Sequence, residues 1–169
     1  MDTANHSATV NPAGKDTPPR SLSDLLQAAH QRDLYRDELA AVNAASTGLE
    51  ALLGVRWTYL GPREARAEVE LTSQLHQPFG ATHGGTYAAL AESVGSAASV
   101  AAAGRPMVGV NNSTDFLRPT SGGVLEARAV PCHLGRRTHL WEVTLTHDGR
   151  VVAVSRLRTM ALDLSLIHI

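Results

Sequence analysis

The sequence is poor in cysteine, in aromatic residues and in net charge. Its 169 residues include one cysteine, two phenylalanines, three tyrosines and two tryptophans, and the formal net charge is −1. The single cysteine, Cys132, excludes an intramolecular disulfide framework and a metal site built from several thiolates. It favours a reducing compartment, for which we expect the cytoplasm. The balanced charge gives no overall attraction to nucleic acid or to an anionic membrane, so we expect neither as a partner, although a local basic patch stays open.

The rest of the composition is that of one folded domain. Hydrophobic residues make up 43% and charged residues 18% of the chain, which excludes a largely disordered protein. Residues 1–20 have neither a basic start nor an apolar run, so we predict a disordered leader rather than a secretory signal. The nearly uncharged stretch His83–Ala103 raises a transmembrane alternative. It consists mainly of small residues, and moving Glu92 into lipid would cost about 2.5 kcal/mol or more, so we expect a soluble protein.

The segment before Val55 has the sequence features of helices. Ser21 is a predicted N-cap, with Asp24 three residues further on. We predict a helical extension over residues 21–45 that is interrupted near its middle. The pattern leaves open whether this extension covers the domain or forms a loosely attached arm. A short helix over Ser46–Leu53 should end at Gly54.

From Val55 the hydrophobic residues recur with period two, which is typical of strands. The clearest case is Glu64–Leu71, whose alternation predicts a half-buried antiparallel strand. The predicted strands are Val55–Leu60, Glu64–Leu71, Met107–Leu117, Val124–His133, Thr138–Thr146 and Arg150–Leu162, and one long helix, His83–Ala103, separates the second from the third. This order predicts an α+β fold in which a single antiparallel sheet wraps one central helix, in a domain of residues 46–162. We assign no function to the tail, residues 163–169, and leave open whether it is native.

The long helix carries the most distinctive acid of the chain. Glu92 is the only Asp, Glu, Lys or Arg within His83–Ala103, and a helix without a polar face must be buried on all sides. Because removal from water penalises a charged carboxylate, such a group suits general-base or nucleophilic catalysis. A structural glutamate bonded to a serine or to the backbone is the alternative. Small residues four apart form a stripe that would let another backbone approach closely. They are Ala91, Gly95, Ser99 and Ala103.

The start of this helix, His83-Gly84-Gly85, has the character of an oxyanion site. The first turn leaves amide hydrogens unpaired at the positive end of the helix dipole, and glycines let a ligand carbonyl approach. An ordinary glycine-rich helix entry is the alternative. About 13 Å of helix separates His83 from Glu92, which is too far for one carbonyl to reach both ends in the same chain. We therefore predict a dimer in which two antiparallel helices build two sites, each from both chains.

Two polar side chains could assist. Ser96, one turn after Glu92, could bond the carboxylate or a nucleophilic water, or it could simply pack. Gln77, in the loop before the helix, could hold a carbonyl or a water, or it could be solvated. His76 and His83 have no third ligand at metal spacing, so we expect no metal.

The motifs resemble those of a known family. The segments Gln77–Gly85 (QPFGATHGG) and Ala89–Ser96 (ALAESVGS) are similar to the hotdog-fold acyl-CoA thioesterases, in the branch of the phenylacetyl-CoA, hydroxybenzoyl-CoA and dihydroxynaphthoyl-CoA thioesterases. The resemblance extends to Asn111–Pro119 (NNSTDFLRP) and Cys132–Glu142 (CHLGRRTHLWE), and it covers about residues 46–162. The glycine pair, a glutamate nine residues after the histidine, and the later HLGRR are specific in combination.

The resemblance implies a role for each matching residue. Glu92 would be the catalytic carboxylate, as nucleophile or general base, and the Gly84 amide would polarise the thioester carbonyl. Gln77 and His83 would orient the substrate and the loop, and Ser96 would help to place water. The resemblance also implies no metal and no cofactor beyond the coenzyme A of the substrate. It implies homodimers that pair into tetramers, with sites between subunits.

Coenzyme A carries three phosphates, so a local basic loop is needed. Gly135-Arg136-Arg137 fits this need, Arg118 and Arg105 fit it less well, and solvated surface arginines are the alternative. We expect hydrolysis of an acyl-CoA, with an aromatic acyl group suggested by the family branch. Phe79, Tyr87, Phe116 and Trp141 could line an aryl pocket or fill the core. The alternatives are a hotdog-fold dehydratase or hydratase acting on acyl-CoA, and a non-catalytic acyl-CoA-binding protein.

Overall fold

The computed structural model describes residues 21–162. The predicted leader, residues 1–20, and tail, residues 163–169, lie outside this range. Three helices come first, then two strands, a long helix and four strands. The helices are α1 (Leu22–Gln31), α2 (Arg36–Ala44), α3 (Gly48–Leu53) and α4 (Gly84–Ala103). The strands are β1 (Arg56–Gly61), β2 (Glu64–Glu70), β3 (Met107–Phe116), β4 (Val124–Leu134), β5 (Thr138–His147) and β6 (Arg150–Ala161).

The six strands form one antiparallel sheet in the order β1-β2-β4-β5-β6-β3, which leaves β1 and β3 at its two edges. Alternate side chains of the strands point to α4 and form the core with it. In β2 these are Ala65, Ala67 and Val69, all almost fully buried. One long helix on a single antiparallel sheet confirms the predicted hotdog architecture. Among residues 21–162, no helix is long and apolar enough to cross a membrane.

The helical extension is a cover rather than a loose arm. Ser21 and Asp24 form the predicted capping box at the start of α1, and Leu25 and Ala29 are buried in the same core as the sheet. The interruption between α1 and α2 is stabilised by Glu38, which accepts two hydrogen bonds from the Arg32 guanidinium.

The same extension also covers the β1 edge of the sheet. The side-chain amide of Asn43 pairs with both backbone groups of Trp57, at 2.7 and 3.0 Å. The amide of Leu34 donates to the carbonyl of Leu60 at 2.9 Å. An edge strand that would otherwise expose unpaired backbone groups is thus occupied by the chain's own N-terminal helices.

The stripe of small residues on α4 faces the sheet, so the prediction that it admits a second helix is wrong. Ala91, Gly95 and Ser99 are buried, and a Cβ on Gly95 would lie 2.5 Å from Cδ2 of Leu157 in β6. The small side chains allow this sheet to approach its own helix closely. Because α4 has no polar face, its spacing alone did not reveal which neighbour the stripe meets. The expectation that α4 is buried all round also fails for the single chain, in which Glu92 is only half-buried.

Candidate active site

The start of α4 presents one open backbone amide. His83 is the N-cap, and its Nδ1 accepts a hydrogen bond of 2.8 Å from the amide of Gly85. The amide of Thr86 donates to the carbonyl of His83, whereas the amide of Gly84 has no hydrogen-bond partner among the described residues. Since Nδ1 is an acceptor here, neutral His83 carries its hydrogen on Nε2. The positive end of the helix dipole therefore has a free donor at Gly84.

Gly84 is in close contact with an aromatic ring. A Cβ at this position would lie 2.9 Å from Cε2 of Phe116, so a larger residue would force the ring away. Phe116 is half exposed and lies 5.8 Å from the Tyr87 ring, centroid to centroid. Phe116 thus borders the open amide, and the buried ring of Tyr87 packs against Phe116. The other two aromatic candidates are elsewhere: Trp141 is buried in the core, and Phe79 is 95% exposed at a loop tip.

Gln77 fastens the loop that leads into α4. Its side-chain carbonyl accepts a hydrogen bond of 2.5 Å from the backbone amide of Phe79, and the backbone amide of Gln77 donates to the carbonyl of Ala81 at 2.8 Å. The loop is further joined to the helix start by the amide of His83, which donates to Leu75. In this chain Gln77 therefore shapes the turn before the helix.

Glu92 lies near the middle of α4, against strand β3. Its Oε2 accepts a hydrogen bond of 3.1 Å from Nδ2 of Asn112, and Ser96 Oγ lies 3.5 Å from its Oε1. A Cβ on Gly109 would lie only 2.0 Å from the same Oε1. Within the part of the chain that the structure describes, Glu92 forms no ion pair. The donors to the carboxylate are neutral, Asn112 at Oε2 and the more distant Ser96 at Oε1, so lone pairs on Oε1 remain available for a proton or for attack.

One chain does not bring Gly84 and Glu92 together. They are eight residues apart on one helix, which corresponds to about 12 Å. This distance is the premise from which a site shared by two chains was predicted, and the shared site stays a prediction.

The predicted basic residues divide between two ends of the sheet. Gly135, Arg136 and Arg137 form the turn between β4 and β5, and the Arg105 guanidinium donates to the carbonyl of Arg136. These residues lie beside the last residue of β6, because the amide of Ala161 donates to the carbonyl of Arg137.

Arg118 is at the other end of the same strand. Its guanidinium donates to the carbonyl of Val151 at 2.5 Å, near the first residue of β6. Val151 and Ala161 are ten positions apart on this strand, which corresponds to about 33 Å. Within one chain, Arg118 therefore does not share a phosphate site with Arg136 and Arg137, and Arg105 is their neighbour instead.

Sequence reasoning missed two residues that surround the carboxylate, Gly109 and Asn112. Both come from β3, 17 and 20 positions after Glu92, and no role was predicted for either. The available signal was the segment Asn111–Pro119, which contains Asn112 and was quoted for the family resemblance without a role for that residue.

Comparisons with known proteins agree with this architecture. The sequence model of the Thioesterase superfamily matches residues 79–154. The chain is 38% identical over 128 residues to the proofreading thioesterase EntH of Klebsiella pneumoniae, which covers 73% of this chain and 93% of EntH. The crystal structure of thioesterase HI1161 from Haemophilus influenzae has 33% identity and a TM-score of 0.70, covering 77% of this chain and 93% of that one. Escherichia coli PaaI, from the phenylacetic acid degradation operon, shares the fold with a TM-score of 0.69 and 22% identity, covering 84% of this chain and 96% of PaaI.

One long helix packed on a single six-stranded antiparallel sheet defines the hotdog fold. The chain belongs to the Thioesterase superfamily, and its reaction class is the hydrolysis of thioesters.

Proposed function

We propose that this protein hydrolyses acyl-CoA thioesters at sites built from two subunits. The observation that carries the proposal is the state of the Glu92 carboxylate, which is fixed by neutral donors without a cationic partner. A carboxylate neutralised by an arginine would be a poor base, whereas this one keeps the charge and the lone pairs that the reaction needs. No cofactor or metal is required, because coenzyme A arrives as part of the substrate.

The reaction begins with the thioester carbonyl at the Gly84 amide of one subunit. Glu92 of the other subunit either removes a proton from water, whose oxygen then attacks the carbonyl carbon, or attacks that carbon directly. The carbonyl electrons move onto oxygen, where the Gly84 N–H and the helix dipole stabilise the negative charge. Collapse of the tetrahedral intermediate breaks the C–S bond, and the thiolate of CoA leaves and takes up a proton. In the direct route, water then hydrolyses the acyl-Glu92 anhydride.

The neighbouring residues support this assignment. Ser96 is within reach of the carboxylate or of a water beside it, and His83 and Gln77 shape the loop and helix start at which the carbonyl would lie. The half-exposed ring of Phe116 beside Gly84 favours an aromatic acyl group. Arg136 and Arg137, with Arg105 beside them, supply the positive charge for the CoA phosphates.

The alternative of a dehydratase or hydratase has less support. Such chemistry pairs an acid with a histidine. The histidine on the same helix, His83, lies about 13 Å from Glu92 along the helix, and its Nδ1 caps α4. The partners of Glu92 are an asparagine and a serine. A protein that only binds acyl-CoA would have no use for the Glu92 carboxylate, which forms no ion pair within the described residues.

The first test is thiol release from a panel of aryl and alkyl CoA esters. We expect turnover that is highest for aryl esters and is abolished in Glu92→Ala, with an unchanged melting temperature. Because Cys132 is exposed, the thiol reagent requires a Cys132→Ser background or catalytic enzyme concentrations. Full activity in Glu92→Ala would refute the assignment. Binding of CoA esters without thiol release would favour the non-catalytic alternative.

A second test addresses the shared site. Glu92→Ala is mixed with Gly84→Val, whose side chain would displace Phe116, and the subunits are allowed to exchange. In a mixed dimer, one site then contains both wild-type groups, so about a quarter of the wild-type activity should return. If each site belonged to one chain, every site would keep a defect and the mixture would stay inactive.

A further inference from the structure

Asn112 has every hydrogen-bonding group of its side chain occupied. Its Nδ2 donates to the carbonyl of Ala88 at 2.9 Å and to Oε2 of Glu92 at 3.1 Å. Its Oδ1 accepts from the hydroxyls of Thr114 and Ser155, both at 2.7 Å. A primary amide offers two N–H donors and two oxygen lone pairs, so all four are matched.

These partners fix the orientation of the amide. In the reversed orientation, the amide oxygen would face the Ala88 carbonyl and the Glu92 carboxylate, two groups that only accept. Behind the amide, the hydroxyl oxygens of Thr114 and Ser155 lie 3.0 Å apart, so the two groups that donate to Oδ1 are packed against each other. Asn112 is therefore a rigid donor aimed at one carboxylate oxygen.

A bulge in β3 explains how two residues of one strand, Gly109 and Asn112, both contact the Glu92 carboxylate. Residues three apart on a regular strand point to opposite faces of the sheet. The register of β3 with β6 shifts between Gly109 and Asn111, and the extra residue brings Gly109 and Asn112 to the same side, toward α4. Glu92 thus has a backbone surface against Oε1 and an N–H donor on Oε2.

We propose that Asn112 is the positioning residue for Glu92, holding its carboxylate in the attacking geometry. The inference rests on the proposed function, because it assigns the residue that orients the proposed catalytic group. A glutamate side chain has three rotatable bonds, and freezing them before the reaction removes an entropic cost from the chemical step. Asn112 fixes Oε2 and leaves Oε1 for water or substrate.

The test compares Asn112→Ala and Asn112→Asp with Asn111→Ala, an exposed neighbour on the same strand. A hydrogen bond to a charged group is worth about 10- to 100-fold in rate. We expect kcat of Asn112→Ala to fall by this factor with KM within about twofold, since the residue acts on the chemical step. Asn112→Asp keeps the acceptor for both hydroxyls but places a negative oxygen against Glu92, so it should lose at least as much. Asn111→Ala should resemble the wild type.

Each outcome separates this inference from the proposed function. If Glu92→Ala is inactive while kcat of both Asn112 variants stays at the wild-type value, or only KM changes, the positioning role is overturned and the proposed function survives. If the wild type releases no thiol, or Glu92→Ala is fully active, both are overturned. If Asn112→Ala fails to fold, the kcat of the isosteric Asn112→Asp tests the positioning role instead. In a Glu92→Gln background, Asn112→Ala should cause no further loss.

Discussion

Replacing Gly109 by alanine should disable the site while leaving the fold intact. The new Cβ would lie 2.0 Å from Oε1 of Glu92, whereas ordinary contact begins near 3.4 Å. The carboxylate, at the end of a flexible and partly exposed side chain, must therefore move by about 1.4 Å. A misplacement of about 1 Å in a catalytic geometry costs on the order of 100-fold in rate.

The stability of the same variant should change little. Gly109 does not have a positive φ, so alanine fits the backbone, and the loss of freedom in the unfolded chain stabilises by about 0.4–1 kcal/mol. Moving the carboxylate offsets part of that gain. We therefore expect the free energy of unfolding to stay within about 1 kcal/mol of the wild type, while kcat falls about 100-fold.

The assay pairs thiol release with chemical denaturation, and Gly122→Ala is the matched control. Gly122 also lacks a positive φ, and a Cβ there meets nothing within 4 Å, so this variant should keep both activity and stability. A Gly109→Ala protein with kcat within about threefold of the wild type would show that the position of this carboxylate does not govern the reaction. Equal losses of kcat in Gly109→Ala and Gly122→Ala would also show that the position of the carboxylate does not govern the reaction.

Three further predictions concern packing, titration and substrate binding. Gly95→Ala brings a Cβ to 2.5 Å from Cδ2 of Leu157, and overpacking should lower the free energy of unfolding by about 1–3 kcal/mol in denaturant titrations. Burial lowers the pKa of His139 below its usual 6.5, so protonation favours the unfolded chain; stability should decrease as the pH falls below about 6.5, and His139→Gln should flatten that dependence. Replacing Arg136 and Arg137 together by alanine should raise KM for CoA esters but not for the corresponding pantetheine esters, and the wild-type KM should rise with salt.

The sequence predicted the elements well because each depended on local chemistry. Ser21 and Asp24 are three residues apart and cap a helix on their own. The alternation in Glu64–Leu71 predicted the buried face of β2, since a one-residue shift would turn every apolar side chain outward. His83 ends the loop and begins α4, as its position before two glycines indicated.

What the sequence could not predict depends on distant partners. The contacts of Glu92 with Gly109 and Asn112 require a bulge in β3, and no local pattern marks that bulge. The stripe around Gly95 was compatible with either a second helix or the sheet, because a helix that is apolar all round does not identify its neighbours. Arg118 was grouped with Arg136 and Arg137 on charge alone, and the fold places them at opposite ends of β6.

The pairing of Asn43 with Trp57, and of Leu34 with Leu60, has a consequence for self-association. Among the described strands, β1 and β3 are the sheet edges, and β1 is already shielded at these two points. A second copy that joins through backbone pairing can add at β3 without displacing the N-terminal helices, and its own shielded strand then becomes the new outer border. Association of sheets by that route ends at two molecules, so the helical segment prevents open-ended edge-to-edge association.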